Sequence, residues 1–223
     1  MAGKWNTRSM VASNIKTVRA IEDDDSSKRR QIVDGARKVF MNLGFDGASM
    51  GEIARAAGVS KGTLYVYFAD KNQLFEAIVD HVSAQEQLKA AFNLDPSRDT
   101  TTTLREFGQT YIRLLCRPEG GSAIRTVMAI AERMPDVGQR YYEHVLQSTI
   151  KRLAAYLDVQ VANNALKIDN TELAAAQFMM MCQATLFLPF LFQAAPAPSD
   201  ERIVQVIESA TQMFLAAYQV KQN

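Results

Sequence analysis

A chain of 223 residues, 48% of them apolar, is long enough to bury a sizeable core as one domain plus a small one, which excludes a chain dominated by disorder. A formal charge of +1, from 25 basic and 24 acidic side chains, excludes a generally cationic protein. Any basic footprint for nucleic acid must therefore be local.

Residues 1–25 carry Lys4, Arg8, Lys16 and Arg19 ahead of the acidic run Glu22, Asp23, Asp24 and Asp25, without the apolar stretch of a secretion signal. They read as a flexible N-terminal arm, partly helical over 10–21. A minor-groove role is conceivable for it, but the acidic run argues against tight DNA contact. Beyond it, Ile32, Val33, Ala36, Val39, Phe40 and Leu43 recur at helical spacing. That helix starts from Ser26 or Ser27 and stops at Gly44. Its other face holds Lys28, Arg29, Arg30, Arg37 and Lys38, which suit either a phosphate backbone or plain solvent.

Residues 49–68 read SMGEIARAAGVSKGTLYVYF. Ser49 and Glu52 form a capping box, so a helix starts at Met50. Ile53, Ala54 and Ala57 give it one apolar stripe, and Gly58 suits the left-handed residue that ends it. Ser60 caps a second helix, with Val59 and Leu64 spaced as a hydrophobic staple. On a wheel of about 100° per residue, Leu64 and Phe68 point inward with Tyr65 and Tyr67 flanking them. The opposite face carries Gly62, Thr63 and Val66, which have little bulk or charge. This is the pattern of a helix-turn-helix entering a DNA major groove. Gly62 lets the backbone approach, Thr63 can bond a base edge, and Val66 can touch a thymine methyl or the sugar wall. Lys61 reaches a guanine or a phosphate, while the tyrosine hydroxyls suit phosphates. A small helical scaffold whose tyrosines cap a core is the plainer alternative.

Asp70 and Gln73 open the next helix, which runs through Leu74, Phe75, Ile78, Val79 and Val82. Lys71 in its first turn is a candidate phosphate clamp. The stretch 28–80, notably SMGEIARAAGVSKGTLYVYFADKNQLFEAIVD, resembles the DNA-binding domain of TetR-family transcriptional regulators. The resemblance implies that Lys61, Gly62, Thr63 and Tyr65 line or read the groove and that Tyr67 and Lys71 grip phosphates; Ser49, Ser60 and Val66 complete the candidate DNA contacts. Val66 departs from the aromatic or polar residue common in the family. The later run IRTVMAIAERMPDVGQRYYEHV resembles the C-terminal region of an AefR-like branch.

The remainder reads as helix punctuated by Pro96, Pro118, Pro135, Pro196 and Pro198. One helix carries Leu104, Phe107, Tyr111 and Leu114, and a second Ile124, Val127, Met128, Ala131 and Met134. A third carries Val137, Tyr141, Val145, Ile150, Leu153 and Leu157. Asp169 with Glu172 caps a fourth, apolar on nearly every face over 174–192, and Ser199 opens the last. Gln177, Gln183, Thr185 and Pro189 interrupt the fourth helix and no basic residue flanks it closely, so burial fits better than a membrane span. A second copy of the chain can cover what one domain leaves open. The last two helices of each subunit then make a four-helix bundle, the dimer that the family resemblance also implies. A two-fold homodimer sets its recognition helices about 34–36 Å apart, so the DNA partner is a palindromic double-stranded operator.

Phe107, Tyr111, Met128, Met134, Phe178, Met179 and Met180 are soft or aromatic residues expected around the interior of this region. The family reading makes them an effector pocket for a small apolar or aromatic compound, with Arg125, His144 and Gln183 orienting its polar group. Ordinary core packing and satisfied buried polar contacts are the alternatives. Cys116 and Cys182 lie in apolar helical patterns and read as reduced core residues of a cytoplasmic protein, a redox switch being the other reading. The expected architecture is all-α: an arm over 1–25, a three-helix DNA-binding domain over 26–80, and a larger effector-binding and dimerisation domain over 81–223. The expected activity is repression relieved by effector, transmitted through the helix that begins at Lys71. His81 and His144 are the only histidines, and no nucleophile, phosphate loop or metal cluster accompanies them. No catalytic, cofactor or metal site is expected. A helical protein-interaction module is the rival class.

Overall fold

The computed structural model of the chain describes the backbone of residues 7–83 and 92–220, and the side chains of 26–79, 92–117 and 124–220. Lys4 of the expected arm lies outside the described residues, as do the side chains of Arg8, Lys16, Arg19, Glu22, Asp25, His81 and Val82. Two compact units divide the chain, Met1–Ile78 and Val79–Asn223. Among the described residues the regular elements are helices, joined by one isolated bridge between Leu166 and Gln219. No described helix is long and apolar enough to cross a membrane.

The first unit holds α1 (Thr7–Gly47), α2 (Met50–Ala57), α3 (Lys61–Tyr67) and the start of α4 (Lys71–Ser83). No glycine or proline stands between Gly3 and Gly35. Nothing interrupts the α1 backbone over the part of the expected arm that is described, and it is helical from Thr7. Gly44, at φ 70° and ψ 177°, breaks the helical path where the sequence places the stop. Ile32, Val33, Ala36, Val39 and Phe40 are buried, whereas Leu43, the residue before that break, is 51% exposed. A Cβ on Gly35 would lie 2.6 Å from the Ala57 Cα. Only glycine lets α1 and α2 approach this closely, and Gln31 one turn earlier donates to the Ala57 carbonyl at 2.7 Å.

The second unit holds α5 (Thr100–Leu115), α6 (Pro118–Ile130), α7 (Pro135–Tyr141), a π-helical turn over Tyr142–Gln147, α8 (Ser148–Ala162), α9 (Thr171–Gln183), the short α10 (Phe187–Leu191) and α11 (Asp200–Tyr218). Pro118 and Pro135 stand at the first helical positions, where no backbone N–H is needed. Phe178 and Phe214 meet edge to face at 5.2 Å in the core, and Phe107 lies 6.3 Å from Phe178. Both Phe178 and Phe214 are at most 1% exposed.

Three local expectations change. Asn170, not Asp169, caps α9, accepting from the Leu173 N–H at 2.9 Å. The apolar stretch 174–192 is two helices, because the chain leaves the helical path at Ala184 (φ 5°, ψ −103°). Pro189, five residues on, lacks the N–H that would bond the Thr185 carbonyl and its ring would strike that carbonyl. The third helix contains the π turn, and the Ser148 and Thr149 hydroxyls bond back to the carbonyls of His144 and Val145. The expected stripe steps five residues from Val145 to Ile150, the spacing of such a turn.

Gly35→Ala is expected to lower unfolding stability by about 1–3 kcal/mol through overpacking against the α2 backbone. Urea titration followed by circular dichroism measures it.

Candidate nucleic-acid interface

Helix α2 begins with both halves of the capping box. The Ser49 Oγ accepts from the Glu52 N–H at 3.2 Å, and the Glu52 carboxylate accepts from the Ser49 N–H at 3.0 Å and from its hydroxyl at 2.7 Å. Gly58, at φ 66° and ψ 35°, ends α2 in the left-handed conformation, its N–H reaching the Arg55 carbonyl at 3.1 Å. Two residues later Ser60 caps α3 by accepting from the Thr63 N–H at 2.9 Å. Leu64 and Phe68 are buried beneath α3. Complete burial of a leucine contributes about 1.5–3 kcal/mol, enough to fix which face of so short a helix turns inward.

The outward face is bare. Val66 is 81% exposed and Tyr65 53%. Gly62 is exposed, and a Cβ there would meet nothing nearer than the Ser60 Oγ at 3.7 Å. Tyr67 is half-buried.

The polar side chains expected to read or grip are partly engaged within the unit. The Ser60 and Thr63 hydroxyls are 2.8 Å apart and share a hydrogen bond. Lys61 lies over the first turn of α2, where a Cβ on Gly51 would fall 3.0 Å from its Cε. Lys71 turns inward. Its ammonium donates to the Phe45 carbonyl at 2.9 Å and sits 4.6 Å from the centre of the Phe45 ring. Asp70 caps α4 through the Asn72 and Gln73 N–H groups at 2.9 and 3.0 Å. Arg30 and Lys38 are exposed on α1, while the Arg29 guanidinium stands 5.1 Å over the Phe68 ring.

Gly35, Gln31 and Gly51 shape this surface without being apparent as site residues from the turn motif. A glycine between Ile32 and Val39 within an apolar stripe is the sequence signal of a close helix crossing. Gln31 and Gly51 carry no comparable signal, because their partners lie on another helix.

Residues 32–78 match the family described as bacterial regulatory proteins, tetR family, and residues 102–220 match the AefR-like transcriptional repressor C-terminal domain. The second match alone spans more than half the chain. The chain belongs to the TetR family of transcriptional regulators. A solved TetR-family regulator from Mesorhizobium loti superposes with a TM-score of 0.82 at 26% identity, covering 87% of this chain and 98% of that one. The flavonoid-responsive regulator FrrA is 30% identical, with a TM-score of 0.73, over 88% of this chain and all of its own. The repressor Rv1474c of Mycobacterium tuberculosis is 42% identical over 57 residues, which are 26% of this chain and 30% of that protein. The match to this curated relative thus spans about a third of its length. The family is one of helix-turn-helix DNA-binding regulators and not of enzymes.

Within the AefR-like region, Phe107, Tyr111, Phe178 and Met179 are buried. Gln183 donates to the Tyr111 hydroxyl at 2.6 Å, and Arg125 to the Leu191 carbonyl at 3.2 Å. Met134 is half-buried at the start of α7. Met128 and His144 do not line the interior as expected. Met128 is 61% exposed, as is Met180 at 59%, and His144 is on the surface. Helical phase explains the methionines: Val127 and Met179, one residue before each, take the inward positions. Burial pushes the Tyr111 phenol above its ordinary value, the Gln183 hydrogen bond opposing it. Burial likewise pushes Tyr141, within electrostatic reach of Tyr111, up to about 12.

Burial raises the Cys182 thiol and pushes Cys116 up to about 11. Since a raised thiol pKa removes the reactive thiolate, both cysteines are expected to resist a disulfide-exchange reagent at about pH 8 in the folded protein and to react on unfolding. A timed thiol assay with and without denaturant measures this.

Proposed function

We propose that this chain is a repressor that binds a palindromic operator as a two-fold homodimer and is released by a small apolar or aromatic effector. The observation that carries the reading is the bare outer face of α3, where Gly62, Tyr65 and Val66 are exposed above the buried Leu64 and Phe68. Residues 26–80 form the DNA-reading domain, and 81–223 hold effector and partner. Gly62 admits the DNA wall, Val66 meets thymine methyls or sugar, and Lys61, Thr63 and Tyr65 reach base edges or phosphates. Tyr67 grips phosphate. Ser49 and Ser60 aim the two helices through their caps at the edge of the groove. Near-neutral overall charge makes the operator affinity depend on a few phosphate contacts per subunit multiplied by dimerisation.

The partner surface lies on α9 and α11. Leu173, Met180 and Met213 are each more than half exposed there. With Gln177, Phe214 and Tyr218 they line an open apolar groove of about 580 Å³. A second copy packing the same helices covers it as a four-helix bundle. An aromatic effector is supported by the buried rings of Phe107, Tyr111 and Phe178 and by the likeness to FrrA, a protein described as flavonoid-responsive. The Tyr111–Gln183 pair offers such a compound polar anchorage. Helix α4 starts in the first unit and continues into the second by sequence, so an effector that favours a different tilt of α4 alters the spacing of the reading heads. A coupling of roughly 1–3 kcal/mol weakens operator binding severalfold or more.

Selecting bound fragments from genomic DNA identifies the operator, and a flavonoid panel titrated into that complex tests release. Gly62→Ala separates reading from folding. It is expected to leave stability unchanged or raised by up to about 1 kcal/mol, since alanine favours helix, and to weaken operator binding about tenfold by holding the groove wall away. Equal operator affinity in wild type and variant sinks the groove assignment. Met180→Glu combined with Met213→Glu is expected to give a folded monomer by sedimentation velocity, and a persistent dimer moves the interface elsewhere.

A further inference from the structure

We propose that Lys71 is a positioning residue for operator reading, latching the end of α1 beyond its Gly44 break onto the first turn of α4 through Phe45, rather than a phosphate clamp. The proposal rests on the operator-binding reading above and departs from the role that position suggests in sequence.

Phe45 is the fulcrum of the turn. It follows Gly44, whose φ of 70° breaks the helical path within α1, and it precedes the cap of α2 at Ser49 by four residues. Its ring is buried, stacked 5.6 Å from Phe40 of α1 and set edge to face 5.7 Å from Phe75 of α4. Lys71 holds the same residue twice, by the 2.9 Å hydrogen bond to its carbonyl and by the ammonium 4.6 Å from its ring centre. Reaching a phosphate requires this ammonium to abandon both contacts. The latch makes the turn ahead of α2 follow the first turn of α4, and α3 follows α2 through Gly58. A change of α4 angle therefore reaches the reading helix, and a broken latch disconnects it.

The test uses the full chain, its selected operator and an unrelated duplex, over a range of salt. Lys71→Met keeps the stem and removes the donor and charge. It is expected to weaken operator binding about tenfold, to leave binding to the unrelated duplex nearly unchanged, and to leave the slope of log affinity against log salt as in wild type. Lys71→Arg is expected to restore affinity, since a guanidinium donates to a carbonyl and stacks on a ring. Phe45→Leu leaves the lysine charge and its backbone hydrogen bond in place and removes the ring contact; it is expected to lose part of the same specificity, the Lys71→Met and Phe45→Leu losses not adding in the double variant. That variant keeps the test decisive where Lys71→Met folds poorly. A slope that falls by about 0.9 per subunit in Lys71→Met, with equal losses on both duplexes, makes Lys71 a phosphate contact and overturns the proposal. Unchanged operator affinity in Lys71→Met overturns it too. A wild-type chain with no sequence preference is a separate outcome that removes the operator reading and this one together.

Discussion

The DNA-reading unit depends on how near α1 and α2 come at Gly35 and Ala57, where the position of a single absent Cβ is already occupied by the facing backbone. Gln31, on the same side of α1, ties the Ala57 carbonyl and so anchors the last turn of α2. Everything downstream inherits that placement. Gly58 turns the chain with one left-handed residue, Ser60 starts α3 two residues later, and Leu64 and Phe68 commit its inner face. A helix as short as α3 has little stability of its own. Its orientation is borrowed from the α1–α2 crossing and from the residues that cap it.

The same economy shapes the outer surface. Several hydroxyls and one cation near the interface are engaged within the unit: Ser49 in its capping box, Thr63 on Ser60 and Lys71 on Phe45. What α3 presents outward is a space at Gly62, the exposed Val66 and the half-exposed ring of Tyr65. Such a face offers shape and apolar surface more than charge, in keeping with a chain whose formal net charge is +1.

In the second unit, neighbouring methionines take opposite tasks. Met179 is buried against the aromatic core, while Met180, about 100° further round α9, stands 59% exposed beside Met213 of α11. One helix thus serves an interior and an outer apolar groove at once. Across the unit, Arg105 to Glu208 and Arg113 to Asp200 join α5 to α11. These pairs are partly exposed and contribute little stability. The Arg105 guanidinium holds the Glu208 carboxyl below the usual carboxylate range.

Where the chemistry is local, the sequence by itself determined the outcome. The Ser49 box, the Gly44 and Gly58 turns and the Ser60, Asp70 and Ser199 caps all follow from interactions within four residues. The break ahead of Pro189 and the five-residue step at the π turn were written there too, though less plainly, because a stripe of apolar residues hides a change of helical path. Which of Asp169 and Asn170 caps α9 was not legible, since both offer an acceptor at adjacent positions. Tertiary structure alone decided the rest. Lys71 meets Phe45 across 26 residues and Gly35 meets Ala57 across a helix crossing, while Val127 rather than Met128 turns inward on α6. Each depends on where a distant backbone passes, and no periodicity in one segment carries the position of another.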